Sequence, residues 1–165
     1  MYRSTKLAIC AIAFLLSATL ASRADSLSAG SAAFAAANYN RAARALLPFA
    51  ERGNARAQAM VGFMFATGQG LPQSYDAAAY WYRLSAEQGD TTAQYLLGLA
   101  YDKGQGVPLD EVAAYKWLNL ATARAPKSMR DNFARLRNAA ASKMTRGQIA
   151  AGQWHALQWP AYSPF

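Results

Sequence analysis

Residues Ala57–Gln88 return as Ala93–Arg124 at an ungapped offset of 36 positions. Eleven of the thirty-two aligned pairs are identical. Agreement between alanines accounts for some of these, because the chain is rich in alanine. It does not account for the frame Gly62, Gly68, Gly70, Pro72 and Trp81, which recurs as Gly98, Gly104, Gly106, Pro108 and Trp117. Self-similarity at a period of roughly 20–50 residues predicts a stack of supersecondary units, each too small to bury its apolar face alone. Stacks of this kind more often hold another molecule than transform one.

The units are helical. No useful stretch alternates apolar and polar residues with period two, whereas apolar residues recur at three and four. The first unit reads as a helix over Ala55–Thr67, a break at Gly68-Gln-Gly70-Leu-Pro72, and a second helix capped by Ser74 and running to Gln88. The second reads as Thr91–Lys103 capped by Asp90, a break at Gly104-Gln-Gly106-Val-Pro108, and Glu111–Ala123 capped by Asp110. Ser and Asp suit those places because a side-chain oxygen accepts from the free amides of the first turn. Gly62 and Gly98 fall mid-helix, where glycine costs up to about 1 kcal/mol against alanine. A cost repeated at one position predicts close approach of the partner helix, with Ala57, Ala78, Ala93 and Ala114 serving the same seam. Trp81 and Trp117 are expected to fill the space between successive units.

Upstream, Ser26–Ala37 and a helix from Asn38 to about Arg52 look like a degenerate first pair. Tyr39, Ala42, Ala43, Ala50, Glu51 and Gly53 match Tyr75, Ala78, Ala79, Ala86, Glu87 and Gly89 at the same offset. Pro48 inside that helix predicts a bend. Downstream the period is lost. Ser128 with Asp131 suggests a capped start for one closing helix to about Lys143, and Thr145 the start of another ended by Pro160. Met129, Phe133, Leu136, Ile149 and Leu157, helped by Trp154 and Trp159, are expected to seal the open end.

The quoted motif resembles Sel-one-like repeats, relatives of the tetratricopeptide repeat. Two full copies and the degenerate pair cover roughly Ser26–Arg124. Met144–Trp154 is similar to the closing helix of bacterial members. The resemblance implies an all-α fold, an α/α superhelix of antiparallel helix pairs with a concave binding face, and a role as adaptor or scaffold for protein assemblies. Some secreted relatives tie each repeat with a disulfide. The one cysteine here, Cys10, sets this chain apart from that branch.

The N-terminal residues read as an address. Arg3 and Lys6 precede the apolar run Leu7–Leu20, and the small residues Ala21, Ser22 and Ala24 follow. That is the three-part pattern of a secretory signal peptide, with cleavage expected after Ala24 or, as an alternative, after Ala21. The run is short for a membrane span of about 20 residues. The expected organisation is 1–24 as signal peptide, 25–124 as repeat domain, and 125–165 as capping helices and tail. Within the repeat domain, 25–54 is the degenerate pair and 55–89 and 90–124 are the full repeats. The expected location is periplasmic or secreted, with no transmembrane segment in the mature chain. Cys10 would leave with the signal, so packing alone must stabilise what remains.

Without residues 1–24 the chain keeps fourteen bases against nine acids, a net +5. The excess is local. Arg124, Lys127, Arg130, Arg135, Arg137, Lys143 and Arg146 face a single acid, Asp131, in the same segment. That predicts a basic surface able to attract an anionic envelope polymer or lipid headgroup. Nucleic acid is not expected, because the segment lacks interleaved aromatics for base stacking.

Nothing nominates a catalytic centre, a metal site or a cofactor. His155 is the one histidine, no thiol remains after the leader, and no facing pair of carboxylates is evident for cell-wall hydrolysis. The candidate partner site is instead a pair of stripes on the first helices of the repeats. Arg56, Met60, Phe63 and Thr67 form one, and Thr92, Leu96, Leu99 and Lys103 form the other. Each is apolar in the middle and polar at its ends. Lined up, they would make an apolar floor with basic rims, suited to an amphipathic helix or an extended peptide. Four side chains fully buried between units would exclude that groove.

Overall fold

The structure, a computed structural model, describes residues 26–159. The expected leader and the tail beyond Trp159 lie outside the described residues. Among the described residues there are helices and connecting turns, with no strand. They are α1 (26–35), α2 (Tyr39–Glu51), α3 (Ala55–Thr67), α4 (Tyr75–Glu87), α5 (Thr91–Lys103), α6 (Glu111–Arg124), α7 (Lys127–Ala141) and α8 (Arg146–Leu157). From α2 to α7 each helix packs chiefly on its neighbours in the chain, and α8 returns to α6. The result is an all-helical solenoid.

Local chemistry sets the helix starts. The side chains of Asn38, Asn54, Ser74, Asp90 and Asp110 accept from the backbone N–H three residues on, at 2.8–3.3 Å. Thr145 and Gln148 complete a reciprocal capping box at α8. Gly68 and Gly104 end α3 and α5 in the left-handed conformation, and their N–H groups donate to the carbonyls of Met64 and Ala100. The backbone of Ser74 then donates to the Phe65 carbonyl, and that of Asp110 to Tyr101, which folds each second helix back on its first.

The glycine frame has two uses. Gly62 and Gly98 let two helices touch. A methyl group built at Gly62 would lie 2.7 Å from the Tyr82 ring and 3.2 Å from the Ala78 carbonyl. At Gly98 the same distances separate it from Leu118 and the Ala114 carbonyl. Gly70 and Gly106 instead join units. Both have positive φ, and a methyl group would collide with the backbone of Tyr39 at Gly70 and of Tyr75 at Gly106. Tyr39 and Tyr75 open the second helices of the preceding units, so each loop is seated on the unit before it.

The core consists largely of small residues with a few large ones between units. Ala57, Ala78, Ala93 and Ala114 are all buried, as their position on the seam requires. Trp117 is buried among α4, α5 and α6. Trp81 packs one unit earlier, against the cluster of α2 and α3 that holds Leu46, Val61 and Met64. The two indoles thus have equivalent surroundings, but Trp81 is only half-buried. At the far end Phe133 is buried and stacks on Tyr95 with ring centroids 4.3 Å apart.

Three expectations for the closing helices need correction. Ser128 does not cap α7. Pro126 holds the N-cap position with no side-chain bond, and its carbonyl accepts from Met129 and Arg130. Proline's fixed φ sets up the helix two residues earlier. The helices end at Ala141 and Leu157, short of Lys143 and Pro160. Finally, Met129, Trp154 and Leu157 do not seal the end; they are 38%, 59% and 81% exposed. Phe133 and Ala140 supply the buried face of α7, and Gly152 and Ala156 that of α8. A methyl group at Gly152 would lie 2.8 Å from the Tyr115 ring, so α8 reaches α6 through another close glycine contact.

Candidate binding groove

The two predicted stripes lie on α3 and α5, the first helices of the full repeats, and the groove they border follows from how those helices are held. Their seam residues turn inward to α4 and α6. Met60, Phe63, Leu96 and Leu99 are left half-buried, while Arg56, Thr67, Thr92 and Lys103 are exposed. The four apolar side chains are therefore not sealed core.

A groove of about 600 Å³ opens between α3 and the start of α5. Met60, Phe63 and Leu96 line it, with Arg56, Thr92 and Asp90 among its polar residues. Phe34 of α1 lines it too. Its ring stands edge-on to Phe63 at 5.4 Å and to Tyr39 at 5.5 Å. Apolar walls with a few polar groups, at this volume, suit a side-chain-bearing ligand. The rim is of mixed sign, since Asp90 is acidic and its carboxylate already accepts from the Ala93 N–H.

Leu99 and Lys103 line a second, smaller depression of about 210 Å³ with Tyr75 and Tyr82, and Leu96 borders both. Thr67 lines neither, and its hydroxyl donates back to the Phe63 carbonyl at 2.9 Å. The structure thus brings seven of the eight residues around two adjoining hollows rather than one continuous floor. Phe34 and Asp90 were not among the predicted lining residues. Asp90 reads in sequence as a cap and nothing more. Phe34 lies in the degenerate pair, where no motif points to it.

The basic segment is dispersed. Lys143 pairs with Asp102 at 2.9 Å, and that hydrogen bond holds its ammonium above the usual lysine range. Arg137 donates to Asn119 and Asn138, Arg130 to the Ala125 carbonyl, and Arg135 to Asn132. Arg124 lies over the Trp159 ring. Lys127 and Arg146 are exposed. Among the described residues, Lys143–Asp102 is the one carboxylate ion pair these bases make. Elsewhere burial lowers the Lys116 ammonium, opposed by Glu87, and raises the Tyr82 phenol. His155 is exposed, and no three His, Cys, Asp or Glu side chains cluster as metal ligands among the described residues. No described helix is long and apolar enough to cross a membrane.

Comparison with known proteins places the repeats. The family described as Sel1 repeat matches residues 55–90 and 91–125. A protective antigen present in uropathogenic Escherichia coli strains, which displays an SLR fold, superposes with a TM-score of 0.75 at 27% identity over 83% of this chain. A Sel1 repeat protein from Oxalobacter formigenes superposes with a TM-score of 0.59 at 30% identity over 67% of this chain. This chain spans 29% of the first and 45% of the second. No curated protein sequence matches it significantly.

Proposed function

The chain is a Sel1-repeat solenoid, and from that we propose that it is a periplasmic or secreted interaction module which seats a peptide or amphipathic helix of a partner protein between α3 and α5. Sel1-repeat proteins are generally scaffolds for protein interaction and are typically not catalytic, and bacterial ones are often extracytoplasmic. The observation that carries the reading is the half-buried state of Met60, Phe63 and Leu96 around a groove of about 600 Å³. Burying such side chains against a partner gains roughly 25 cal/mol for each Å² of apolar surface covered. Arg56 and Asp90, of opposite sign at the rim, would fix the direction of the bound segment. The signal-like residues 1–24 support the location.

The test is crosslinking in cells with a photoreactive group at Thr92, followed by mass spectrometry of the captured proteins. One partner should dominate, and Phe63→Glu with Leu96→Glu should abolish its capture while leaving the helical circular dichroism intact. Capture that survives both substitutions removes the groove from the account.

The second reading, contact of Arg124–Arg146 with an anionic envelope polymer or lipid, draws on the scarcity of carboxylates around those bases. It predicts a different salt response. Exposed charges are screened over about 10 Å at 0.1 M salt, so retention that collapses at modest ionic strength favours this surface.

A further inference from the structure

Trp159 reveals a second kind of site. Its ring meets Trp117 edge to face at a centroid separation of 5.9 Å, and the Arg124 guanidinium lies over it at 5.1 Å. It packs on the cluster that contains Leu120. A methyl group built at Gly89 would stand 4.0 Å from the indole. One repeat earlier, the counterparts of Gly89, Trp117, Leu120 and Arg124 are Gly53, Trp81, Leu84 and Gln88. There the same place is an open depression of about 380 Å³, lined by Gly53, Leu84, Glu87 and Gln88.

The exposure of the paired residues follows the difference. Trp117 and Leu120 are buried, whereas Trp81 and Leu84 are half-buried. Tyr80, 57% exposed, stands edge-on to Trp81 at 5.3 Å, where the counterpart Lys116 lies over Trp117 at 4.4 Å. The first repeat thus repeats the positions of that seat at Gly53, Leu84 and Gln88, with the acid Glu87 beside them.

We propose that this depression binds an extended segment of a partner protein that presents a tryptophan, seated as Trp159 is seated one repeat later. The glycine, tryptophan and leucine of the frame that accepts an indole in the second repeat are written again in the first, with Gln88 in the place of Arg124, and that shared frame is what selects tryptophan over another anchor. Tryptophan is also a residue type in which binding energy commonly concentrates. Glu87 replaces Ala123 at the rim, so a lysine or arginine beside that tryptophan is favoured over an acid. This site shares no lining residue with the groove of α3 and α5, so it stands or falls separately.

The probe is the blocked peptide Gln-Trp-Pro-Ala-Tyr, the sequence of residues 158–162, titrated into the isotopically labelled full chain. The amides of Gly53, Leu84 and Gln88 should shift saturably, and a peptide with alanine for tryptophan should leave them unmoved. Lysine in place of the peptide's glutamine should tighten binding by about threefold, a gain typical of an exposed charge pair. Leu84→Lys should weaken binding about tenfold or more, equivalent to losing about 1.4 kcal/mol. Glu87→Gln, at an exposed position, should erase the preference for the lysine peptide while keeping the shape of the side chain. Shifts confined to Gly89, Leu120 and Arg124 would mean that the peptide merely displaces Trp159, and the proposal fails. It fails equally if millimolar peptide shifts nothing. Dimers of the unliganded chain that Leu84→Lys dissociates would give the site to a second copy instead of a partner.

Discussion

Gln58 and Gln94 hold the same place in successive repeats, and only the first is fully engaged. Both are buried, and each donates from Nε2 to the carbonyl eight residues back, Ala50 at 3.1 Å and Ala86 at 3.2 Å. The Gln58 Oε1 also accepts from Gln88 at 2.7 Å, while the Gln94 Oε1 is buried with no partner. The reason lies one helix on. Gln88 has Arg124 as its counterpart, and that guanidinium is turned onto Trp159. Ser85 likewise donates to the Ala55 carbonyl at 2.7 Å, where the second repeat has Ala121 facing Phe133. The first repeat is joined internally by polar bonds, and the second is closed by aromatic rings from the C-terminal elements. Identical frames therefore tolerate different chemistry at their edges, according to what covers them.

The largest test of that contrast is the tryptophan pair. Trp117→Ala should cost about 3–5 kcal/mol, the usual loss for a large buried ring. Trp81→Ala should cost less, about 2–3 kcal/mol, because Trp81 is only partly buried. Urea unfolding of the two variants measures the gap, and equal losses would mean that Trp159 adds nothing to the second repeat.

Alkali separates the repeats next. Tyr82 lies over Gly62 where the second repeat has Leu118 over Gly98. Burial raises the Tyr82 phenol above its ordinary value. Above a pH of about 10 the unfolded chain ionises at this tyrosine while the folded chain keeps the proton. The folded state then binds more protons, so the contribution is intact below that pH and declines as pH rises past it. The loss approaches about 1.4 kcal/mol for each further pH unit. Stability measured from pH 9 to 11 should fall more steeply in the parent than in Tyr82→Phe; parallel curves would place the alkali-sensitive group elsewhere.

The smallest effect belongs to the glutamines. Gln58→Leu should cost about 1–2 kcal/mol, since Gln88 loses its buried acceptor. Gln94→Leu should cost less than about 1 kcal/mol, because it removes an acceptor with no partner and the Ala86 carbonyl still accepts from Gly89. Thermal melts of both variants read the difference, and a reversed order would show that Arg124 does serve Gln94 in solution.

Much of this architecture was legible in the residues because the relevant chemistry is local. Ser74, Asp90, Asp110 and Thr145 each announce a helix start by what their own oxygen does three residues on. Gly62 and Gly98 announce a close contact by being costly and repeated. Ser128 misled because the helix starts two residues upstream at Pro126, whose fixed backbone geometry sets the start without a side-chain bond. Met129, Trp154 and Leu157 misled for a different reason: periodicity selects a helix face but not which apolar residues on it find a neighbour. The groove was half legible. Met60, Phe63 and Leu96 follow from helical spacing, whereas Phe34 arrives from a distant helix and leaves no local trace. Gln58 and Gln94 were visible as matching letters. A polar residue kept at the same apolar position in both copies was a signal for a buried amide.

Gly70 and Gly106 rest chiefly on the main-chain atoms of Tyr39, Tyr75 and Asp76. The rise from one storey to the next is therefore a property of main-chain contact and stays the same whatever decorates the outside. A duplicate of 55–90 spliced in after Gln88–Asp90 would find its landing already prepared, and the column would grow taller by one storey with its ends unchanged. Length, in a molecule assembled this way, is a quantity that insertion of whole modules can adjust while surface residues remain free to change their guests.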